Sequence, residues 1–216
     1  MPEVKYKLLL PLIFVAVFAG SRIPGLLPPN FSAAYAFAFC AGVYFRGALA
    51  WALPLGVMLA TDLGLNLYYS LHGIRVWDLP DLENQLFNYI ALASLIFLGR
   101  RFQQQKSLLK LVGGGLLGAV LFYLITNTAS WLFNPFHNPE YSRNLAGWII
   151  ALTRGTGGYP TTLEFFRNTL LSGGLFTALF AASEKLAAES PADKTAGGRA
   201  PASEAEAPAE PEEAQA

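Results

Sequence analysis

Leu111–Phe133 reads LVGGGLLGAVLFYLITNTASWLF, twenty-three residues without one charged side chain. A helix rising about 1.5 Å per residue over that length covers the roughly 30 Å hydrocarbon core of a bilayer. The stretch reads as a transmembrane span. Working outward from it, five further apolar runs lie near Leu8–Gly20, Ala33–Phe45, Ala48–Tyr69, Gln85–Gly99 and Thr161–Ser183. The shorter ones reach spanning length by borrowing flanking residues, tilting or thinning the bilayer. Arg46 and Gly47 alone separate the second run from the third, a pair that reads as a tight turn at the membrane surface. The expectation is an all-α, polytopic membrane protein with a six-transmembrane-helix bundle over residues 1–186.

Composition agrees. Hydrophobic residues make up 53% of the 216 and charged ones 14%, against about 25% charged in ordinary soluble domains. The zero net charge hides an asymmetry, since residues 187–216 hold seven acidic and two basic side chains, which leaves thirteen basic and eight acidic in the body. That Ala-, Pro- and Glu-rich tail has almost nothing to bury and reads as disordered. With the N-terminus inside, Lys5, Lys7, Arg46, Arg100, Arg101, Lys106, Lys110 and Lys185 fall on the cytoplasmic side. Only Arg22, Arg75, Arg143, Arg154 and Arg167 fall outside. This bias predicts an inner-membrane protein with both termini cytoplasmic. Lys5 and Lys7 ahead of an apolar run ending Ala19, Gly20, Ser21 also fit a cleaved signal peptide; cleavage would leave five helices and put the termini on opposite sides, so the retained helix is the expectation. Asn134–Pro160 is a long Pro- and Gly-bearing loop whose apolar patch, Leu145–Leu152, is too short to span and reads as an interfacial or re-entrant cap.

Several classes of function lack their residues. Cys40 is the only cysteine and reads as a packing residue. The two histidines, His72 and His137, lie in loops, so no metal cluster, haem pair or histidine-assisted nucleophile is expected in a span. There is no Walker-type glycine loop, and nothing points to nucleic acid. Neither enzyme chemistry nor a cofactor is expected.

Polar side chains inside spans are costly and mark functional positions. Asp62 and Asn66, Asn127 and Trp131, and Glu164 and Asn168 are each four residues apart, with Arg167 beside Asn168, so each pair shares one helix face. In the expected topology Asp62, Asn127 and Arg167 all fall about 9 to 11 Å below the outer helix ends. Two readings follow. In one, Asp62 and Arg167 form a structural salt bridge and the asparagines act as hydrogen-bond glue. In the other, Asp62, Asn66, Asn127, Trp131, Arg167 and Asn168 line a solute pocket with Arg22, Asn30 and Tyr159 at its mouth. Glycines at helical spacing, Gly113–Gly115 with Gly118, then Gly173 and Gly174, and Ala16 with Gly20, read either as packing within the bundle or as docking onto another membrane protein.

Pro29-Asn30-Phe31-Ser32 leads into an Ala- and Phe-rich helix ending Gly42-Val43-Tyr44-Phe45, and Leu53-Pro54-Leu55 precedes Thr61-Asp62-Leu63. Tyr159-Pro160-Thr161 and Phe165–Leu171 follow near the end, with Asn127 and Trp131 between. Over nearly the whole chain except the tail, these features resemble a family of uncharacterised bacterial membrane proteins similar to the substrate-binding S components of energy-coupling-factor (ECF) transporters. The resemblance implies a six-helix subunit that binds a vitamin- or metal-type solute near the outer surface. It also implies a transmembrane T protein with ATPase subunits as partner, with Ala16 and Gly20 serving the docking. One departure is that Gly173 or Gly174 stands where that family often carries an acidic residue. The rival expectation is a membrane scaffold or assembly protein of the same fold.

Overall fold

The computed structural model describes residues 2–188, and side chains within 11–186. The expected disordered tail falls outside the described residues from 189 onward. Among the described residues seven helices follow in order: α1 Pro2–Ser21, α2 Ala34–Tyr44, α3 Leu49–Leu71, α4 Leu79–Arg100, α5 Leu108–Phe133, α6 Leu145–Thr153 and α7 Thr162–Ala188. No strand occurs among the described residues. Among the described residues two helices, α3 and α5, are both long enough and apolar enough to cross a membrane. The coarser part of the expectation, an all-helical chain with candidate spans, therefore stands.

The helix ends follow local chemistry. Pro80 in the first turn of α4, Asp81 beside it and Arg100 in the last turn match the helix dipole, which is why α4 begins six residues before the apolar run that marked it. Ser107 caps α5 by accepting from the Lys110 amide. The helix stops at Asn134, left-handed at φ 45°, with Pro135 next. The patch expected to lie at an interface or re-enter is a nine-residue helix, α6, started by the Asn144 side chain accepting from the Gly147 amide at 2.9 Å.

At the centre stands α2, short and enclosed. Every residue from Ala34 to Val43 is buried, and α3, α4, α5 and α7 all pack on it. The alternation of alanine and phenylalanine serves this position: the alanines admit neighbouring backbones and the rings fill what remains. Phe37 lies edge-on to Phe14 of α1, which stacks on Phe180 of α7 at 4.0 Å between centroids, and Phe39 packs on Phe102 at 5.3 Å. Cys40 is buried in the same cluster.

Close crossings fall on glycines. A Cβ on Gly42 would sit 2.2 Å from the Ile96 carbonyl oxygen, and one on Gly99 would sit 2.1 Å from that of Phe39. The backbones of α2 and α4 thus touch. Gly115 faces Thr177, and Gly173 faces Ala119, so these small residues join α5 to α7 inside the bundle. Gly20 and Gly113 have open space beside them, and Ala16 is exposed.

Candidate functional site

Helical register decides which polar residues converge. Along α3 the buried positions are Ala50, Pro54, Met58, Asp62 and Asn66, each four after the last. Asp62 and Asn66 therefore share the inward face. On the opposite face Leu59, Leu63 and Leu67 are exposed. Along α7 the buried set includes Thr162, Thr169, Thr177 and Phe180, whereas Leu163, Leu171, Leu175 and Leu179 form an exposed stripe. Arg167 is exposed within that leucine stripe.

A cavity of about 790 Å³ opens between the N-terminal end of α2 and the facing segments of α3, α4, α5 and α7. Of the residues read from sequence, Asp62, Asn66, Asn127, Arg22 and Asn30 line it. Trp131, Arg167, Asn168 and Tyr159 do not. The Trp131 indole donates to the Ser142 carbonyl at 2.8 Å and ties α5 to the loop before α6, while Tyr159 is exposed in the loop ahead of α7.

Asp62 has its counter-ion, but it is not Arg167. Arg22 donates to Asp62 Oδ1, and the Tyr89 hydroxyl donates to Oδ2 at 2.8 Å. The carboxylate is satisfied on both oxygens and only 8% exposed. The cation is less well served: one guanidinium nitrogen meets the Met58 sulfur at 3.0 Å, the Phe18 ring lies 5.7 Å away, and Nε is buried without a partner among the described residues. Arg22 sits one residue beyond α1 and reaches across to α3, a placement that helical spacing within a span cannot indicate.

The segment from Arg22 to Ser32 contributes most of its residues to the cavity lining. Its two ends are drawn together, since the Ala33 amide donates to Ser21 Oγ at 3.0 Å and the Ser21 and Ser32 hydroxyls lie 3.4 Å apart. A compact loop of this length with adjoining ends is an Ω-loop. Two side chains pin it to the bundle: Arg22 to Asp62 on α3, and Asn168 of α7 to the Pro29 carbonyl at 2.9 Å. Asn168 thus holds the strap over the cavity.

The richest polar surface was not among the residues singled out in the sequence. Asn84, Gln85 and Asn88 on α4 line the cavity at positions i, i+1 and i+4. Gln85 donates to Asn66 Oδ1 at 3.3 Å. The side chains of Asn84 and Asn88, both half-buried and one turn apart, make no hydrogen bond to a described residue. Their signal was the spacing, with Asn84 just before the run read for its hydrophobicity and Asn88 inside it. Tyr35, Phe122, Phe165 and Phe166 add aromatic surface to the same lining. Asn127 donates to the Tyr123 carbonyl at 2.9 Å, which leaves its amide oxygen available. The whole is a chamber with one cancelled charge pair, several amides and an aromatic side, and no cluster of metal-ligating side chains exists among the described residues.

A family model described as Family of unknown function (DUF6580) matches residues 3–195. No curated protein and no solved structure matches the chain.

Proposed function

We propose, for a chain that belongs to this family of unknown function, the role of a solute-binding integral membrane subunit of a small-molecule uptake transporter, similar to an ECF S component. The observation that carries the reading is the cavity, whose lining combines two side-chain amides with no hydrogen-bond partner among the described residues, Asn84 and Asn88, with several aromatic side chains. Binding sites of this kind combine apolar walls with a few polar groups that fix orientation. Asp62 is already neutralised by Arg22, so a further full charge in the chamber would lack a counter-ion. A solute with zero net charge, carrying both hydrogen-bond donors and acceptors on a flat body, suits the amides and rings together. No bond-making chemistry is assigned to the site.

In this reading α1 to α5 and α7 are the six spans of an inner-membrane bundle, both termini are cytoplasmic, and the cavity faces outward. Exposed apolar stripes support it: Leu59, Leu63 and Leu67 on α3, Leu82, Leu86 and Ile90 on α4, and Leu163, Leu171 and Leu175 on α7. Contiguous exposed apolar surface on that scale marks lipid or protein contact. At about 1.5 Å per residue α2 is shorter than the bilayer core, and its enclosure by four helices means it need not meet lipid along its length. Arg167, placed among leucines, would extend its long stem toward the headgroups. A transmembrane T protein with ATPase subunits is the partner this role calls for, and exposed Ala16 with Gly20 on α1 offers it a close approach.

The scaffold reading draws on a different observation, the complete satisfaction of Asp62 by Arg22 and Tyr89, which is what a purely structural pair would show. The experiment that separates the two is native mass spectrometry of protein extracted gently from its own membrane. A small polar adduct of zero net charge is expected on the wild type and absent from the Asn84→Leu, Asn88→Leu double variant, with unfolding temperature unchanged. An adduct-free wild type would favour the scaffold. Asn168→Ala should also leave the bundle folded, at a loss of about 1 kcal/mol for one hydrogen bond. Freeing the strap, it should shorten the adduct's lifetime in the same measurement.

A further inference from the structure

A second concavity lies at the other end of α2, and we propose that it binds the phosphodiester headgroup of an anionic phospholipid. The cleft encloses about 630 Å³ between the α2–α3 turn and the C-terminal end of α4, and is lined by Arg46, Gly47, Arg100, Arg101, Gln103 and Gln104. Three arginines line it without a carboxylate. No ion pair among the described residues involves any of them. Like charges gathered in one concavity raise each other's energy until an anion enters.

Helix C-termini offset part of that charge, since α2 and α4 both end here. Gln103 already shares the end of α2, donating to the Gly42 carbonyl at 3.1 Å and the Phe45 carbonyl at 3.5 Å. Gly47 turns the chain at φ +60°, a conformation that favours glycine, and so sets Arg46 beside the end of α4. The cleft is therefore built by two fixed segments. Guanidinium groups bind phosphate oxygens through paired hydrogen bonds, and several together exceed one.

A lipid, instead of free phosphate, is indicated by what borders the cleft. Leu49 is about half exposed just after the turn, Phe97 is likewise exposed, and the Arg101 guanidinium lies 5.1 Å over the Phe97 ring. A charged cleft flanked by exposed apolar side chains matches an amphiphile with a phosphate head and acyl chains. Basic clefts beside transmembrane helices on the cytoplasmic side recognise anionic headgroups.

This inference rests on the membrane reading above, and the test separates the two. Washed membranes are first extracted with alkaline carbonate without detergent; release of the protein would overturn the membrane reading and this inference together. Protein kept in the membrane is then purified in mild detergent. Native mass spectrometry compares its retention of phosphatidylglycerol and phosphatidylcholine for the wild type and for the Arg46→Gln, Arg100→Gln, Arg101→Gln triple variant. The wild type should prefer phosphatidylglycerol by about tenfold or more, and the triple variant should lose that preference. All three arginines are exposed, and a triple Arg→Lys variant, which keeps charge but not the paired hydrogen bonds, should fall between. Equal preference in wild type and glutamine variant, or no preference in the wild type, overturns the lipid assignment and leaves the membrane reading intact. Displacement of phosphatidylglycerol by millimolar inorganic phosphate also overturns it, in favour of a free anion.

Discussion

Asp62→Asn alone, or Arg22→Gln alone, is expected to lower the stability of the detergent-solubilised protein by about 3 kcal/mol, because each strands its partner in a poorly solvated place. The two side chains are 8% and 18% exposed, so solvent screens the pair little. Removing both together should cost no more than either alone, so a double-mutant cycle should report a coupling of about 3 kcal/mol. Arg167→Gln is the control. Its side chain is exposed on the leucine stripe of α7, and its change should stay within about 0.5 kcal/mol. The solute reading adds a second requirement, that the Asp62→Asn, Arg22→Gln double variant folds and yet retains no adduct, since Arg22 also anchors the strap. Additive losses of stability would show that the two groups do not act as a pair.

An equally large effect is expected at the α2–α4 crossing. Gly42→Ala places a methyl group 2.2 Å from the Ile96 carbonyl, and Gly99→Ala places one 2.1 Å from that of Phe39. Both obstacles are backbone and cannot rotate aside. Each substitution should cost about 3 kcal/mol or more, beyond the usual range for overpacking, because two central helices must separate. Gly56→Ala, where an added Cβ meets nothing within 4 Å, should instead stabilise by up to about 1 kcal/mol through helix propensity. Thermal unfolding of the three variants in one detergent checks the opposite signs. Tolerance of Gly42→Ala would mean that α2 and α4 lie farther apart.

The long helices were legible because length and hydrophobicity report directly on what can be buried or lie in lipid. Leu111–Phe133 became α5 with three residues added before it, and Thr161–Ser183 became α7, which starts one residue later and runs five residues further. The short α6 was not legible as a helix, since an eight-residue apolar patch fits a helix, an interfacial strip or a re-entrant turn equally well. At the site, Asp62, Asn66 and Asn127 were found because intramembrane polarity is costly and i, i+4 spacing gives a face. The partner of Asp62 was missed for a physical reason: Arg22 lies in a loop and reaches α3 across 40 residues of chain. Arg167 and Asn168 are neighbours in sequence but about 100° apart on the helix, enough to put one on the leucine stripe and the other on the strap. Asn84 and Asn88 carried the right spacing, but across the boundary between a loop and a segment read only as a span.

Cysteine labelling in intact cells decides whether the cavity opens to the outside of a membrane with the arginine cleft on the cytoplasmic side. Cys40 is buried in the core and can stay. Single cysteines are placed at Ile23, exposed on the strap, and at Gln104, exposed in the arginine cleft, and each is treated with a membrane-impermeant maleimide. Labelling of Ile23→Cys is expected without permeabilisation, and of Gln104→Cys only after it. Labelling of both without permeabilisation, or of Gln104→Cys alone, would contradict that arrangement.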